Sequence, residues 1–200
     1  MLSTWQPFSA LTPDFVLRRA RQALGPPPGV TLTLAGTTLR ATGSANHAWI
    51  AAAAAGALHV PGVEAWEAPA LVDLDQRELT ALRRQLEARV VLFAARSISL
   101  AEPARSDLAE TARLAAALLD ASSRLGQTAR IAIVGHASAE GPTASNRALS
   151  LGRAEAVRVA LIASGLPAAR LVASGAGVDP ATPGDAGRRV DFAVAMDGAP

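Results

Sequence analysis

A strand that runs into a polar loop and then a long helix is the feature that most constrains how this chain can fold. Residues 129–137 form an apolar, strand-like run, and the loop 138–142 is polar. Helical spacing of apolar residues continues from there to about 164–165, and a second strand-like run occupies 168–177. Strands joined through a crossover helix pair in parallel, with the helix packed on one face of the sheet. The segment therefore predicts a layered domain of helices on a sheet.

The remaining pattern extends this prediction to two modules. Residues 1–73 are predicted to run helix, strand, strand, helix, strand, and residues 90–200 strand, helix, strand, helix, strand, strand. Between them, residues 74–89 have leucines at spacings of three and four, which predicts an amphipathic connecting helix. The expected fold class is α+β, as two small α/β sandwich modules of order αββαβ and βαβαββ.

Composition excludes several classes of function. Half of the residues are hydrophobic, which is enough for a sizeable core. The net charge is only +2, and the arginine groups at 18–21 and 83–84 sit among acidic or apolar neighbours, so no nucleic-acid partner is expected. Cysteine is absent and the three histidines are dispersed, so neither a metal site nor a cofactor is predicted.

No pattern in the chain predicts catalysis. None of the serines lies in a Gly-x-Ser-x-Gly turn, and no cysteine nucleophile exists. The glycine-rich stretches lack the lysine and the strand-to-helix setting of a phosphate loop. We therefore expect a protein that is not an enzyme.

The N-terminal residues give no export signal. Residues 1–15 have no basic segment and no continuous apolar core, unlike a signal peptide. The longest run of small apolar residues, 48–60, is too short to cross a bilayer. If the protein works outside the cytoplasm, we therefore expect this chain to be a fragment of a longer one or to have had its leader removed.

The stretch 134–157 carries an ordered set of residues at fixed spacing. They are Gly135, His136, Ala137, Ser138, Gly141, Asn146, Leu149-Ser150 and Arg153-Ala154. The set resembles the signature of the OmpA-like C-terminal domain, also found in MotB-type motor proteins and peptidoglycan-associated lipoproteins, with every gap kept. Downstream, 165–180 and 188–194 match the family's strand, turn and closing strand.

In that family the domain binds the zwitterionic end of diaminopimelate in the peptidoglycan stem peptide, without covalent chemistry. The resemblance implies that Arg153 faces back over the loop and takes the carboxylate, in a fork that arginine suits better than lysine. The family's aspartate for the ammonium is replaced by Ser138, which carries no charge, and Gly187 stands where the family has Asp or Asn. Losing the charged half of such a pair costs about 2–5 kcal/mol, so weak binding is expected.

The candidate residues for peptidoglycan binding are Arg153, Ser138, Asn146, His136 and Glu140. Glu140 reaches further than an aspartate and is a candidate to replace the missing charge. Arg153 has the alternative role of a helix arginine paired with Glu155 or with solvent. Asn146 more simply ties the loop backbone through its amide, and His136 offers a pH-sensitive contact.

The first module resembles the BON module of bacterial envelope proteins. The resemblance rests on the strand-turn-strand at 34–45 and on the segment 59–68 that follows the second helix. It implies a membrane or protein partner for this module and brings no catalytic residue.

Two hypotheses of function follow. In the first, the chain is a non-catalytic protein of the bacterial cell envelope, periplasmic or associated with the outer membrane, whose OmpA-like domain contacts peptidoglycan weakly. In the second, the chain is a cytoplasmic scaffold and part of a larger protein, and its degenerate OmpA-like domain binds protein instead of the wall. Ser138 and the missing leader favour the second hypothesis, whereas the family resemblance favours the first.

Overall fold

The computed structural model describes residues 11–100, 102, 104–182 and 184–197. The chain divides into two compact units, with the boundary between Arg77 and Glu78. The first ten residues of the predicted first module lie outside the described residues. Within the described ranges, none of the helices combines the length and the apolar character needed to cross a membrane.

The first unit is built on a three-stranded sheet. Its elements are α1 (Pro13–Leu24), β1 (Val30–Ala35), β2 (Thr38–Ala45), α2 (His47–Ala57) and β3 (Ala65–Asp73). β1 and β2 form an antiparallel hairpin, and β3 pairs with β2 in parallel. Asn46 caps α2 by accepting a hydrogen bond from the Trp49 N–H at 2.8 Å, which satisfies a free donor of the first turn. The predicted element order is observed, and the BON-like assignment stays a prediction.

The second unit is built on a four-stranded sheet. The elements around it are α3 (Leu74–Glu87), β4 (Val90–Leu92), α4 (Ala104–Arg124), β5 (Thr128–Ala137), α5 (Thr143–Ala163), β6 (Leu171–Val178) and β7 (Arg189–Asp197), with 3-10 turns at Ala168–Arg170 and Gly184–Gly187. The strand order is β4-β7-β5-β6. β5 and β6 are parallel, as expected for strands joined through α5, and β7 is antiparallel to both of its neighbours. The α+β class and the βαβαββ order are confirmed.

The connecting helix packs on the second sheet. Leu79 and Leu86 of α3 are 4% and 0% exposed and belong to the core formed by the second unit, with Leu82 packed against it. The leucines whose spacing predicted the helix therefore form the face by which α3 packs on the core of the second unit.

α5 approaches the sheet so closely that two strand positions must be glycine. A Cβ on Gly135 would lie 1.9 Å from the carbonyl oxygen of Ser150, and one on Gly175 would lie 2.7 Å from Ser150 Oγ. Ser150 is fully buried, and its hydroxyl accepts a hydrogen bond from the Gly177 N–H at 3.0 Å. The glycine and the serine of the 134–157 pattern therefore serve the packing of a helix directly on two strands.

Candidate functional site

Loops from four strands meet at one edge of the second sheet. β4, β5 and β6 end at this edge and β7 begins there, because β7 is antiparallel to β4 and β5 while β6 is parallel to β5. α5 also begins here, after the loop 138–142. The edge therefore brings together the candidate residues at the end of β5, in the loop and on α5.

Arg153 is fully buried, and its guanidinium binds three backbone carbonyls. Nε donates to Ser97 O at 3.0 Å, Nη1 to His136 O at 2.8 Å and Nη2 to Ala94 O at 3.2 Å. The centre of the Phe93 ring lies 5.5 Å from the guanidinium carbon, within the range of a cation–π contact. The side chain thus joins α5 to the end of β5 and to the segment that follows β4.

This arrangement leaves Arg153 little capacity for a ligand. Its bond to His136 O does lie at the end of β5, where the sequence places the ligand site, but its exposed fraction is 0%. Burial lowers the pKa of Arg153, and the charge of Arg188 lowers it further. Glu155, the alternative partner, accepts from Arg158 at 2.8 Å instead. Arg153 acts here as a structural cation.

Asn146 ties the loop to the start of α5. Its Nδ2 donates to Gly141 O at 3.3 Å, and the residue is 5% exposed. Ser138 is half-buried at the end of β5, and Glu140 is exposed in the loop. α5 begins after Pro142 without a side-chain cap and without an acidic residue in its first turn. Its first N–H groups therefore leave positive potential at this edge.

A charge cluster lies beside the loop, on β7 and on the connection between β6 and β7. Nε of Arg189 lies 2.9 and 3.1 Å from the two carboxylate oxygens of Asp191, and Nη2 donates to Asp179 at 2.7 Å. The hydrogen bond from Arg189, followed by donors of the next turn, lowers the pKa of Asp179 to about 2. Nε2 of His136 lies 3.2 Å from Asp191. The cluster links the end of β5 to both neighbouring strands.

His136 makes this edge sensitive to pH. Burial lowers the pKa of His136 and the charge of Arg189 lowers it further, whereas Asp191 and Asp179 raise it. Nδ1 is buried without a hydrogen-bond partner, so a second ring proton would be unsatisfied there. Below the ordinary pKa of 6.5, and down to the lower folded value, the unfolded chain binds more protons than the folded chain.

The free energy of unfolding of the second unit should therefore fall as the pH is lowered below 6.5 toward the folded-state pKa of His136. Urea denaturation at each pH measures this slope, and His136→Gln should remove most of it. His59→Gln, at an exposed histidine of the first unit, is the control and should keep the slope. If the slope is unchanged in His136→Gln, the pH dependence of stability does not come from His136.

Arg188 extends the charged surface toward the loop. Its Nη1 lies 2.5 Å from Asp185, and its Nε donates to Phe93 O at 3.4 Å. The hydrogen bond to Asp185 raises the pKa of Arg188, and the charge of Glu140 acts in the same direction. The exposed carboxylates of Asp185 and Glu140 therefore both act on Arg188 at this edge of the sheet.

Sequence reasoning missed the charge cluster around Arg189. Asp179 lies in a loop rich in proline and glycine, where the direction of a side chain cannot be read from sequence. The alternation of β7 was the available signal, because it places Arg189 and Asp191 on one face of the sheet. No group of three or more His, Asp or Glu side chains that could hold a metal ion occurs in the part of the chain that the structure describes.

Comparison with known proteins finds a family match within the second unit. The OmpA family model matches residues 92–189. No curated protein matches the chain. Among solved structures, the chain is similar to the peptidoglycan-associated lipoprotein from Burkholderia pseudomallei, with 28% identity over 54% of this chain and 90% of that chain and a TM-score of 0.46. It is also similar to the C-terminal domain of Helicobacter pylori MotB, with 20% identity over 55% of this chain and 85% of that chain and a TM-score of 0.47. The matched residues 92–189 lie within the second unit and make up just under half of the chain.

Proposed function

We propose that this chain is a non-catalytic protein of the bacterial cell envelope whose OmpA-like domain contacts peptidoglycan weakly. The observation that carries the proposal is the family match at 92–189. The matched range includes the whole 134–157 pattern and the loop edge, by which we mean the edge of the second sheet at the loop 138–142 and the start of α5. The family resemblance supplies the ligand, the zwitterionic end of the stem peptide. Binding involves no making or breaking of covalent bonds.

The loop edge has groups that complement such a zwitterion. The uncapped N-terminus of α5 provides N–H donors and positive potential for a carboxylate. Glu140, exposed in the adjoining loop, provides a negative charge for an ammonium. Ser138 adds a neutral hydroxyl at the end of β5. Arg153 supports this surface from the interior by holding His136 O.

Ser138 sets the expected strength of the contact. A serine in place of a carboxylate removes the charged half of an ion pair, which costs about 2–5 kcal/mol. Since each 1.4 kcal/mol is about tenfold in affinity, a micromolar site becomes roughly millimolar. We therefore expect a contact that matters where the ligand is abundant, as in a polymeric wall.

Sedimentation with insoluble peptidoglycan tests this proposal. We expect the full chain to co-sediment weakly, Glu140→Gln to co-sediment less, and Ser138→Asp to bind at least about tenfold more tightly, because the ammonium regains a charged partner. Ser164→Asp places the same charge at the exposed far end of α5 and is the matched control. The proposal fails if neither the wild type nor Ser138→Asp is retained, or if Ser164→Asp gives the same gain.

A second candidate function is a scaffold whose degenerate OmpA-like domain binds a protein. The burial of Arg153 favours it, because the residue that the resemblance assigns to the ligand is bound to the chain's own carbonyls. In that case the wild-type chain would not co-sediment with peptidoglycan, and Ser138→Asp would create wall binding that the wild type lacks. The first function places the chain in the periplasm or at the outer membrane, and the second is compatible with the cytoplasm.

For the first unit the proposed role is contact with a membrane or a protein. The BON-like order αββαβ supports this role. Flotation of the full chain with phospholipid vesicles separates the two partners, since only a membrane contact carries the chain to the lipid fraction.

A further inference from the structure

Arg96 has a backbone conformation that arginine rarely adopts. Its φ is +53°, and it is the only residue other than glycine with a positive φ in the part of the chain that the structure describes. It is the third residue of a turn closed by the hydrogen bond from the Ser97 N–H to Ala94 O at 3.2 Å. Type II turns take glycine or asparagine at a third residue with positive φ, because a bulkier side chain is strained there. A long cationic side chain therefore stands where the backbone favours glycine or asparagine.

Arg153 holds this turn in its strained conformation. Its guanidinium donates to both end carbonyls of the turn, Ser97 O at 3.0 Å and Ala94 O at 3.2 Å. The same guanidinium donates to His136 O at 2.8 Å. Strained backbone persists only where its surroundings fix it, and such residues cluster at binding sites. The turn that carries Arg96 therefore lies beside the end of β5.

Arg96 supplies an unengaged guanidinium at the loop edge. Three further arginines at this edge bind the chain itself. Arg153 donates to three backbone carbonyls, and Arg188 and Arg189 each form an ion pair with an aspartate. Arg96 is exposed, and among the described residues no group forms a hydrogen bond or an ion pair with its side chain. A ligand carboxylate can therefore bind this side chain without displacing an internal contact.

We propose that Arg96 binds the carboxylate of the stem peptide at the loop edge, in the role that the resemblance assigns to the buried Arg153. A guanidinium binds a carboxylate through two parallel, charge-assisted hydrogen bonds. The positive end of α5 acts on the same carboxylate. The ammonium of the ligand is left to Glu140 and to the residue at 138. The inference rests on the proposed function, since that function supplies the ligand.

Binding of a synthetic stem peptide that ends in diaminopimelate tests this assignment by isothermal titration calorimetry. The full chain with Ser138→Asp is the parent, because its affinity is expected to be higher. Adding Arg96→Asn should weaken binding at least about fivefold, because charge-assisted hydrogen bonds are lost. The same substitution should have little effect on a peptide whose diaminopimelate carboxylate is converted to an amide, since the amide carries no charge for the guanidinium.

Arg147→Gln is the matched control. Arg147 is exposed near the start of α5, but it lies over β6, because a Cβ on Gly175 would be 2.9 Å from its carbonyl oxygen. This variant removes the same charge and should leave the affinity for either peptide nearly unchanged. The assignment is overturned if Arg147→Gln loses as much affinity as Arg96→Asn. It is also overturned if Arg96→Asn binds the carboxylate peptide as its parent does, or weakens both peptides equally.

The stability of the variants separates a ligand contact from a structural role. Asparagine adopts a positive φ more readily than arginine, so Arg96→Asn should keep the urea midpoint of the second unit or raise it. Arg96→Gly removes the strain of the Cβ and should bind the stem peptide as weakly as Arg96→Asn. A midpoint that falls in both variants would show that Arg96 supports the turn, and would overturn its assignment as a ligand contact.

Failure of this inference and failure of the proposed function give different results. Sedimentation of the wild-type chain with peptidoglycan tests the function without any change at Arg96. If the chain with Ser138→Asp binds the stem peptide and Arg96→Asn leaves that affinity unchanged, the inference is wrong and the function is unaffected. If the chain with Ser138→Asp binds neither peptidoglycan nor the stem peptide, the ligand is wrong and both are overturned.

Discussion

Replacement of Arg153 by methionine is expected to lower the free energy of unfolding of the second unit by about 3–5 kcal/mol. Three carbonyls, those of Ala94, Ser97 and His136, would lose a charged donor in the interior. Methionine keeps most of the apolar volume, so the loss reports on the hydrogen bonds. Arg153→Lys should recover only part of the stability, because one ammonium cannot reproduce a planar fork of donors.

Urea denaturation followed by far-UV circular dichroism measures this loss. All three tryptophans precede residue 78, so their fluorescence follows the first unit and serves as a reference. Arg147→Met changes an exposed arginine of the same helix and should alter stability by less than about 0.5 kcal/mol. A loss for Arg153→Met as small as that of Arg147→Met would contradict the structural role and return Arg153 to the ligand site.

Gly135→Ala is expected to destabilise the second unit by about 3 kcal/mol or more. The added methyl group would lie 1.9 Å from Ser150 O and 2.8 Å from Ser150 C, which are backbone atoms in the middle of a 21-residue helix. The helix can relieve this overlap only by moving off β5, and the hydrogen bond from the Gly177 N–H to Ser150 Oγ would be strained as well. The urea midpoint followed by circular dichroism measures the effect.

Gly152→Ala is the matched control for this change. Its Cβ would meet the side chain of Ile98 at 3.1 Å, and that side chain is 49% exposed and free to turn away. An alanine inside a helix is favoured over glycine by up to about 1 kcal/mol. Gly135→Ala should therefore lower the free energy of unfolding and Gly152→Ala should raise it, although the two identical substitutions lie only seventeen positions apart in the chain. A similar loss in both variants would show that helix packing on β5 is not the cause.

The order of the elements was predictable because it depends on local periodicity. The alternation in β7, the helical spacing in α3 and the polar loop after β5 are each visible within a short window. The parallel pairing of β5 and β6 followed from the helix between them. The amide of Asn146, a short polar side chain near a loop, was likewise expected to bind the loop backbone.

The partners of Arg153 could not be predicted, because they are backbone carbonyls that any residue type supplies. Ser97 and Ala94 lie 56 and 59 positions before Arg153, and neither side chain marks them as acceptors. The proximity of Gly187 to the end of β5 was hidden for the same reason, since it shows only as the 3.5 Å between a Cβ built on Gly187 and Ser138 Cα. Sequence indicated which residues were unusual, and tertiary structure was needed to place them together.

An arginine that holds three chain segments together is retained by selection for folding alone. The guanidinium at 153 supports the fold whether or not the domain has a ligand, because its loss would leave three interior carbonyls without a donor. An arginine at this position therefore reports the architecture of the domain and gives no information about what the domain binds.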